Sequence, residues 1–135
     1  MEHFHGAPGI GLARLVALKY IDHPFVHHDI QRAIEATLNY GPGANHSLCH
    51  GDLGNLDFLL QASQLTDSAE LGVKVDQWTN QILASMNEYG WLCGVPLTVE
   101  SPALMNGLAG ICLGLLRIAA PERVPSILIL TAAAA

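Results

Sequence analysis

Apolar positions along this chain alternate between two patterns. Gly9 to Tyr20 carries Ile10, Leu12, Ala13, Leu15, Val16 and Leu18, apolar nearly all round. That distribution predicts a buried helix. His23-Pro24 breaks it. Ile30, Ala33, Ile34, Thr37 and Leu38 then keep a helical period, with Gln31, Arg32 and Glu35 on the polar face. Asp29 is placed to cap this second helix. Gly41-Pro42-Gly43 ends it. Leu53 to Leu65 is a second apolar helix. Asp67 with Glu70 resembles a capping box, with Asp in place of Ser or Thr. It opens the most amphipathic helix of the chain, to about Tyr89. Leu71, Val75, Trp78, Ile82 and Met86 form its stripe, and Lys74, Asp76, Asn80 and Glu88 face away. Gly90 to Met105 reads as a long loop and Leu108 to Ala119 as a third apolar helix. Val124 to Leu130, β-branched and following Pro121 and Pro125, reads as a short strand or an extended tail.

The all-round apolar helices share a leader. His5-Gly6-Ala7-Pro8-Gly9, His50-Gly51-Asp52-Leu53-Gly54 and Asn106-Gly107-Leu108-Ala109-Gly110 are each Gly-x-x-Gly running into an apolar segment. Nine residues after each first glycine stands a leucine: Leu15, Leu60 and Leu116. The first glycines lie 45 and 56 residues apart, room for two helices and their connections. The alternation predicts two concentric layers, an inner ring of buried helices and an outer ring half exposed. The glycine turns then gather at one end of the inner ring, where loops carry function.

Composition narrows the reading. The 135 residues are one domain's length. Half are apolar and 13% are charged, against ~25% in an ordinary soluble domain. Surface normally buried against something else would explain this. A net charge of −6 leaves no basic footprint for nucleic acid. No apolar run reaches the ~18 residues of a membrane span; Gly107 to Ala119 comes closest, and Arg117 interrupts it. No signal peptide is visible at the start. Cys49, Cys93 and Cys112 are an odd set, unlike a secreted disulfide framework. A reducing cytoplasm is the expected location.

The candidate chemistry lies in Ser47-Leu48-Cys49-His50-Gly51-Asp52-Leu53-Gly54-Asn55. Cysteine sulfur and histidine nitrogen are preferred zinc ligands, and a catalytic zinc keeps an open position. Cys49 and His50 stand just before a helix start, where backbone partial charge favours a thiolate. The dipeptide alone also fits a packed cysteine beside a loop histidine. Asp52 suits either a partner orienting a ligand histidine or a cap for its own helix. Cys93 reads as structural and Cys112 as a small hydrophobe on an apolar helix. His27-His28 reads as a solvated loop pair, and His3, His5 and His46 likewise fall outside apolar faces. The Gly-x-x-Gly turns lack the Lys-Ser/Thr of a nucleotide loop.

Leu48-Cys49-His50-Gly51-Asp52-Leu53-Gly54-Asn55 resembles the zinc motif of LanC-like lanthipeptide cyclases, most closely the C-terminal cyclase domain of class II (LanM-type) synthetases. His5-Gly6-Ala7-Pro8-Gly9-Ile10-Gly11-Leu12-Ala13-Arg14 resembles the family's preceding motif. Gly107-Leu108-Ala109-Gly110-Ile111, Leu115-Leu116-Arg117 and Pro121-Glu122-Arg123-Val124-Pro125-Ser126 resemble its last helix and tail. The resemblance covers nearly the whole chain. It implies an all-α fold, a partial α/α toroid, with residues 1–135 as the C-terminal part of the cyclase domain. It also implies chemistry on a precursor peptide, in which Zn2+ activates a cysteine thiol that adds to a dehydroamino acid and closes a thioether ring.

On that resemblance Cys49 and His50 are metal ligands and Asp52 is their supporting carboxylate. The family's third ligand, a cysteine before the histidine of the first motif, corresponds to Phe4, which cannot bind metal. His5 is a neighbouring substitute, off the matching position. The upstream family histidine that serves as an acid has no counterpart, so no further catalytic residue is assigned. The expectation is a fragment with weak or no cyclase activity alone. Its partners are the precursor peptide and the remainder of a synthetase. The alternative is a catalytically silent module that binds a peptide or complements a separate chain; a purely structural helical fragment is the third reading.

Overall fold

A computed structural model describes residues 6–129. Among these residues the chain forms five α-helices and no strand: α1 (Ala7–Ala17), α2 (Pro24–Tyr40), α3 (Asp52–Thr66), α4 (Ala69–Tyr89) and α5 (Leu108–Ala119). A short 3-10 turn, Pro96–Thr98, interrupts the loop before α5.

The helices lie in two layers. α3 sits between α1 and α5 in the inner row, with α2 behind α1 and α4 behind α3. This is the arrangement of a partial α/α toroid. α3 is the centre of the core: Leu53, Leu56, Phe58, Leu59 and Ala62 are almost wholly excluded from water. The expected stripe of α4, Leu71, Val75, Trp78, Ile82 and Met86, is the buried set of that helix.

Helix starts differ from those expected, for local reasons. α2 begins at Pro24, and the His23 ring accepts from the Phe25 N–H at 3.2 Å. Proline at the first helical position forfeits no hydrogen bond, so His23-Pro24 both separates α1 from α2 and starts α2. Asp29 therefore lies inside α2 and caps nothing. It receives the Arg14 guanidinium at 2.7 Å, tying α2 to α1. His27 and His28 are solvated as expected, but on the first turns of α2. Asp67 is not a cap either. It takes the left-handed conformation (φ 49°) that ends α3, and Ser68 caps α4 by accepting from the Leu71 N–H. Aspartate tolerates that conformation better than most residues, which frees serine for the capping role.

Of the three glycine-led helices only α3 is enclosed along most of its length. α5 turns a stripe of Ala109, Cys112 and Leu116 to solvent, and Ile10 of α1 is half exposed. The shared leucines accordingly differ: Leu15 is buried, Leu60 half-buried and Leu116 exposed. Cys112 is thus an exposed thiol, not a packed one. Of the two readings of Val124 to Leu130, the short strand is absent over its described residues; a bend at Val124, irregular backbone at Pro125-Ser126 and a turn over 127–129 carry that segment. Arg117 organises it, because its Nη1 donates to the main-chain oxygens of Pro121 and Val124. The same guanidinium donates from Nε to Asp57 Oδ1 at 3.0 Å, while Ser126 and Gln61 donate to Asp57 Oδ2.

Candidate metal centre at the glycine turns

The loops leading into α3 and α5 are copies of one another. Both leading glycines, Gly51 and Gly107, hold extended backbone. The Asp52 N–H donates to Asn45 O at 2.7 Å, and the Leu108 N–H donates to Ser101 O at 2.7 Å. Asn45 Oδ1 accepts from the Ser47 N–H, and Ser101 Oγ accepts from the Ala103 N–H. The second glycine packs against the preceding loop in each copy. A Cβ on Gly54 would lie 2.1 Å from Leu48 O, and one on Gly110 would lie 1.8 Å from Leu104 O. Glycine is required at both positions because backbone occupies the space of a side chain. In this register Cys49 matches Met105 and His50 matches Asn106.

The turns also meet in space, as the repeat implied. The Cys49 N–H donates to Met105 O at 3.0 Å, joining the α3 loop to the α5 loop. Pro8, Gly9 and Leu12 at the start of α1 line one crevice with Cys49 and Asn55. Cys49 and His50 are both half-buried at this mouth, just ahead of the first turn of α3. Phe4 and His5 lie outside the described residues.

Asp52 is almost wholly buried, and its carboxylate accepts from the N–H groups of Gly43 (3.1 Å to each oxygen) and Ala44. Burial pushes its carboxyl above the ordinary value of 3.8, and the two backbone donors pull it back. Among the described residues no hydrogen bond joins Asp52 to His50, and Asp52 is the first residue of α3 rather than its cap. Its carboxylate braces the Gly43–Ala44 loop and complements the helix dipole.

Two further residues shape the site. His46 is fully buried, with Nδ1 accepting from the Leu92 N–H at 2.9 Å and Nε2 facing Ser85 Oγ at 3.0 Å. Burial pushes its imidazole below the ordinary value of 6.5. Nothing local distinguishes it from the solvated histidines, since its partners lie about 40 residues away in sequence. Gly94 lies against His50. A Cβ there would approach His50 Cε1 to 3.0 Å and Ser47 Oγ to 2.5 Å. The Gly94 N–H donates to Asn106 O at 2.7 Å, holding this floor against the α5 loop. Cys93 beside it is fully buried and structural, as expected.

The donor chemistry suits a thiophilic divalent cation, with thiol and imidazole adjacent on a rigid turn. Among the described residues no three histidine, cysteine or acidic side chains group as a ligand set. Cys49 and His50 are the two candidate donors that the turn itself supplies.

Comparison with known proteins agrees with this architecture. The family described as lanthionine synthetase C-like protein matches residues 5–129. The lacticin 481/lactococcin biosynthesis protein LcnDR2 of Lactococcus lactis subsp. lactis is 36% identical over 77 residues. That stretch is 54% of this chain and 8% of the relative. No solved structure matches the chain. With its glycine-led helices and its Cys-His turn inside the matched span, the chain belongs to the lanthionine synthetase C-like family.

Proposed function

We propose that this chain is the C-terminal part of a cyclase domain and serves thioether ring formation in a ribosomally made precursor peptide. The observation that supports this is the convergence of the three glycine turns on Cys49, the chain neighbour of His50. Cys49 and His50 would hold zinc, which supplies a Lewis acid that favours the thiolate form of a substrate cysteine. In the reaction the peptide's S–H adds across the C=C bond of a dehydroalanine or dehydrobutyrine. A C–S bond forms at the β-carbon, the π bond is lost and a proton reaches the α-carbon, with no oxidant or reductant consumed. The residues of this chain position rather than react. Gly51, Gly54 and Gly94 let the loops close, and His46 and Asp52 fix the loop carrying the two donors.

Phe4, which stands where the family has its third ligand, favours a second reading. In that reading the chain binds a peptide, or completes a separate polypeptide, without catalysing ring closure itself.

Elemental analysis of the purified chain tests the first reading. Zinc is expected in the wild type, less in Cys49→Ala, and more tightly held zinc in Phe4→Cys. Equal metal content in wild type and Cys49→Ala would overturn the ligand assignment. A peptide carrying one cysteine and one dehydroalanine separates the two readings. Loss of alkylatable thiol on incubation supports catalysis, whereas retention of the peptide with its thiol intact supports the silent module.

A further inference from the structure

Among the described residues only two buried side-chain oxygen or nitrogen atoms lack a hydrogen-bond partner, Ser47 Oγ and Asn106 Oδ1. Both belong to the segments that enclose Gly94. Ser47 is wholly excluded from water. Leaving a buried hydroxyl unpaired is costly, so a partner is expected when the site is complete.

The duplicated loop shows that the hydroxyl is not needed for folding the turn. Ala103 occupies the place of Ser47 in the α5 copy, and its N–H makes the matching bond to the residue two positions earlier. The two copies diverge again two residues further on, where the Ser47 copy carries Cys49-His50 and the Ala103 copy carries Met105-Asn106. The hydroxyl accompanies the imidazole. It also lies beside it, since Ser47 Oγ and His50 Cε1 both crowd the point where a Gly94 Cβ would stand. Cε1 is the ring carbon flanked by both nitrogens, so a small rotation of the imidazole brings a ring nitrogen to the hydroxyl. Asp52, the sequence's candidate for this role, is engaged by Gly43 and Ala44.

We propose that Ser47 is the positioning residue of His50, its hydroxyl accepting the N–H of the ring nitrogen that does not face the cation. Such a bond selects one tautomer and leaves the opposite nitrogen's lone pair directed out of the loop. Gly94 is part of the device, because any side chain there would fill the space between hydroxyl and ring. The proposal rests on the reading of His50 as a ligand, but its first test does not require metal.

The full chain, labelled with 15N at histidine and freed of metal, is compared with Ser47→Ala by long-range 1H–15N NMR. In the wild type His50 should show one dominant tautomer, with one ring nitrogen protonated and the other bare. In Ser47→Ala the two nitrogen shifts should converge toward an average. Ala103 in the matching turn indicates that this variant keeps the loop, and the unchanged His46 pattern serves as the internal check. Gly94→Ala, which leaves Ser47 in place, should disturb the same signals. Zinc titration then adds a second readout, with affinity expected to fall 10–100-fold in Ser47→Ala. Identical His50 spectra in wild type and Ser47→Ala, or an averaged tautomer in both, would overturn the role of Ser47 whatever the metal result. A selected tautomer lost in Ser47→Ala, with no zinc uptake by the wild type, would uphold Ser47 and defeat the ligand reading instead.

Discussion

His46 and Leu92 are tied by two hydrogen bonds running in opposite directions. The His46 N–H donates to Leu92 O at 2.8 Å, and the Leu92 N–H donates to His46 Nδ1 at 2.9 Å. With Nδ1 accepting, Nε2 carries the proton and donates to Ser85 Oγ. The neutral ring thereby pins the loop carrying Cys49 and His50 to α4 and to the segment before Gly94.

This clamp makes stability pH-dependent. Burial lowers the folded-state proton affinity of His46, so the unfolded chain binds its proton more readily. The contribution is complete above the ordinary value of 6.5 and is lost as pH falls from there through the lower folded value. Each tenfold difference in proton affinity is worth about 1.4 kcal/mol. Asp52 acts in the opposite sense at lower pH, since its raised folded value favours the folded state as pH falls toward 3.8. Stability against urea should fall as pH drops from 7 to 5.5, and His46→Gln should flatten that slope. An unchanged slope in the variant would remove His46 from the account.

The glycines of the turns should be far less tolerant than a glycine on a helix face. Gly54→Ala and Gly110→Ala each drive a methyl into a main-chain oxygen, and a loss of about 1–3 kcal/mol is expected. Gly72 on α4 has nothing within 4 Å of the same point. Gly72→Ala should gain about 0.5–1 kcal/mol from helix propensity alone. Equal thermal shifts in the three variants would deny the close approach of the turns.

Asp57 and Arg117, 60 residues apart, form a buried pair with side chains only 6% and 10% exposed. Arg117→Met leaves a buried carboxylate uncompensated and also releases the Pro121 and Val124 carbonyls. A loss of about 3–5 kcal/mol is expected. The double variant Arg117→Met, Asp57→Leu should recover part of it, because neither charge then remains to be paired. Chemical denaturation of the four-member cycle measures the coupling.

The cysteines should separate by accessibility. Cys112 is exposed, Cys49 half-buried and Cys93 fully buried with its thiol against Ser101 O. Brief alkylation of the native chain, read by mass spectrometry, should label Cys112 first and leave Cys93 unmodified. Added zinc should protect Cys49 while Cys112 remains reactive; equal protection of both would point to binding away from the turn.

The sequence by itself determined the helices, their alternation and the Cys-His turn. These are local properties: a stripe such as Leu71, Val75, Trp78, Ile82 and Met86 is written in the spacing of one segment. The Gly-x-x-Gly recurrence was equally legible, because a close backbone approach admits only glycine at Gly54 and Gly110. Tertiary structure decided what each polar group meets. Asp29 serves Arg14 rather than a helix start, Asp52 braces a loop, and Arg117 pairs with Asp57. His46 is buried among partners about 40 residues away, while Cys112, on a helix apolar all round, faces water. Periodicity shows which face of a segment is apolar. Burial and hydrogen-bond partners depend on which distant segment covers that face, and only the folded chain fixes that choice.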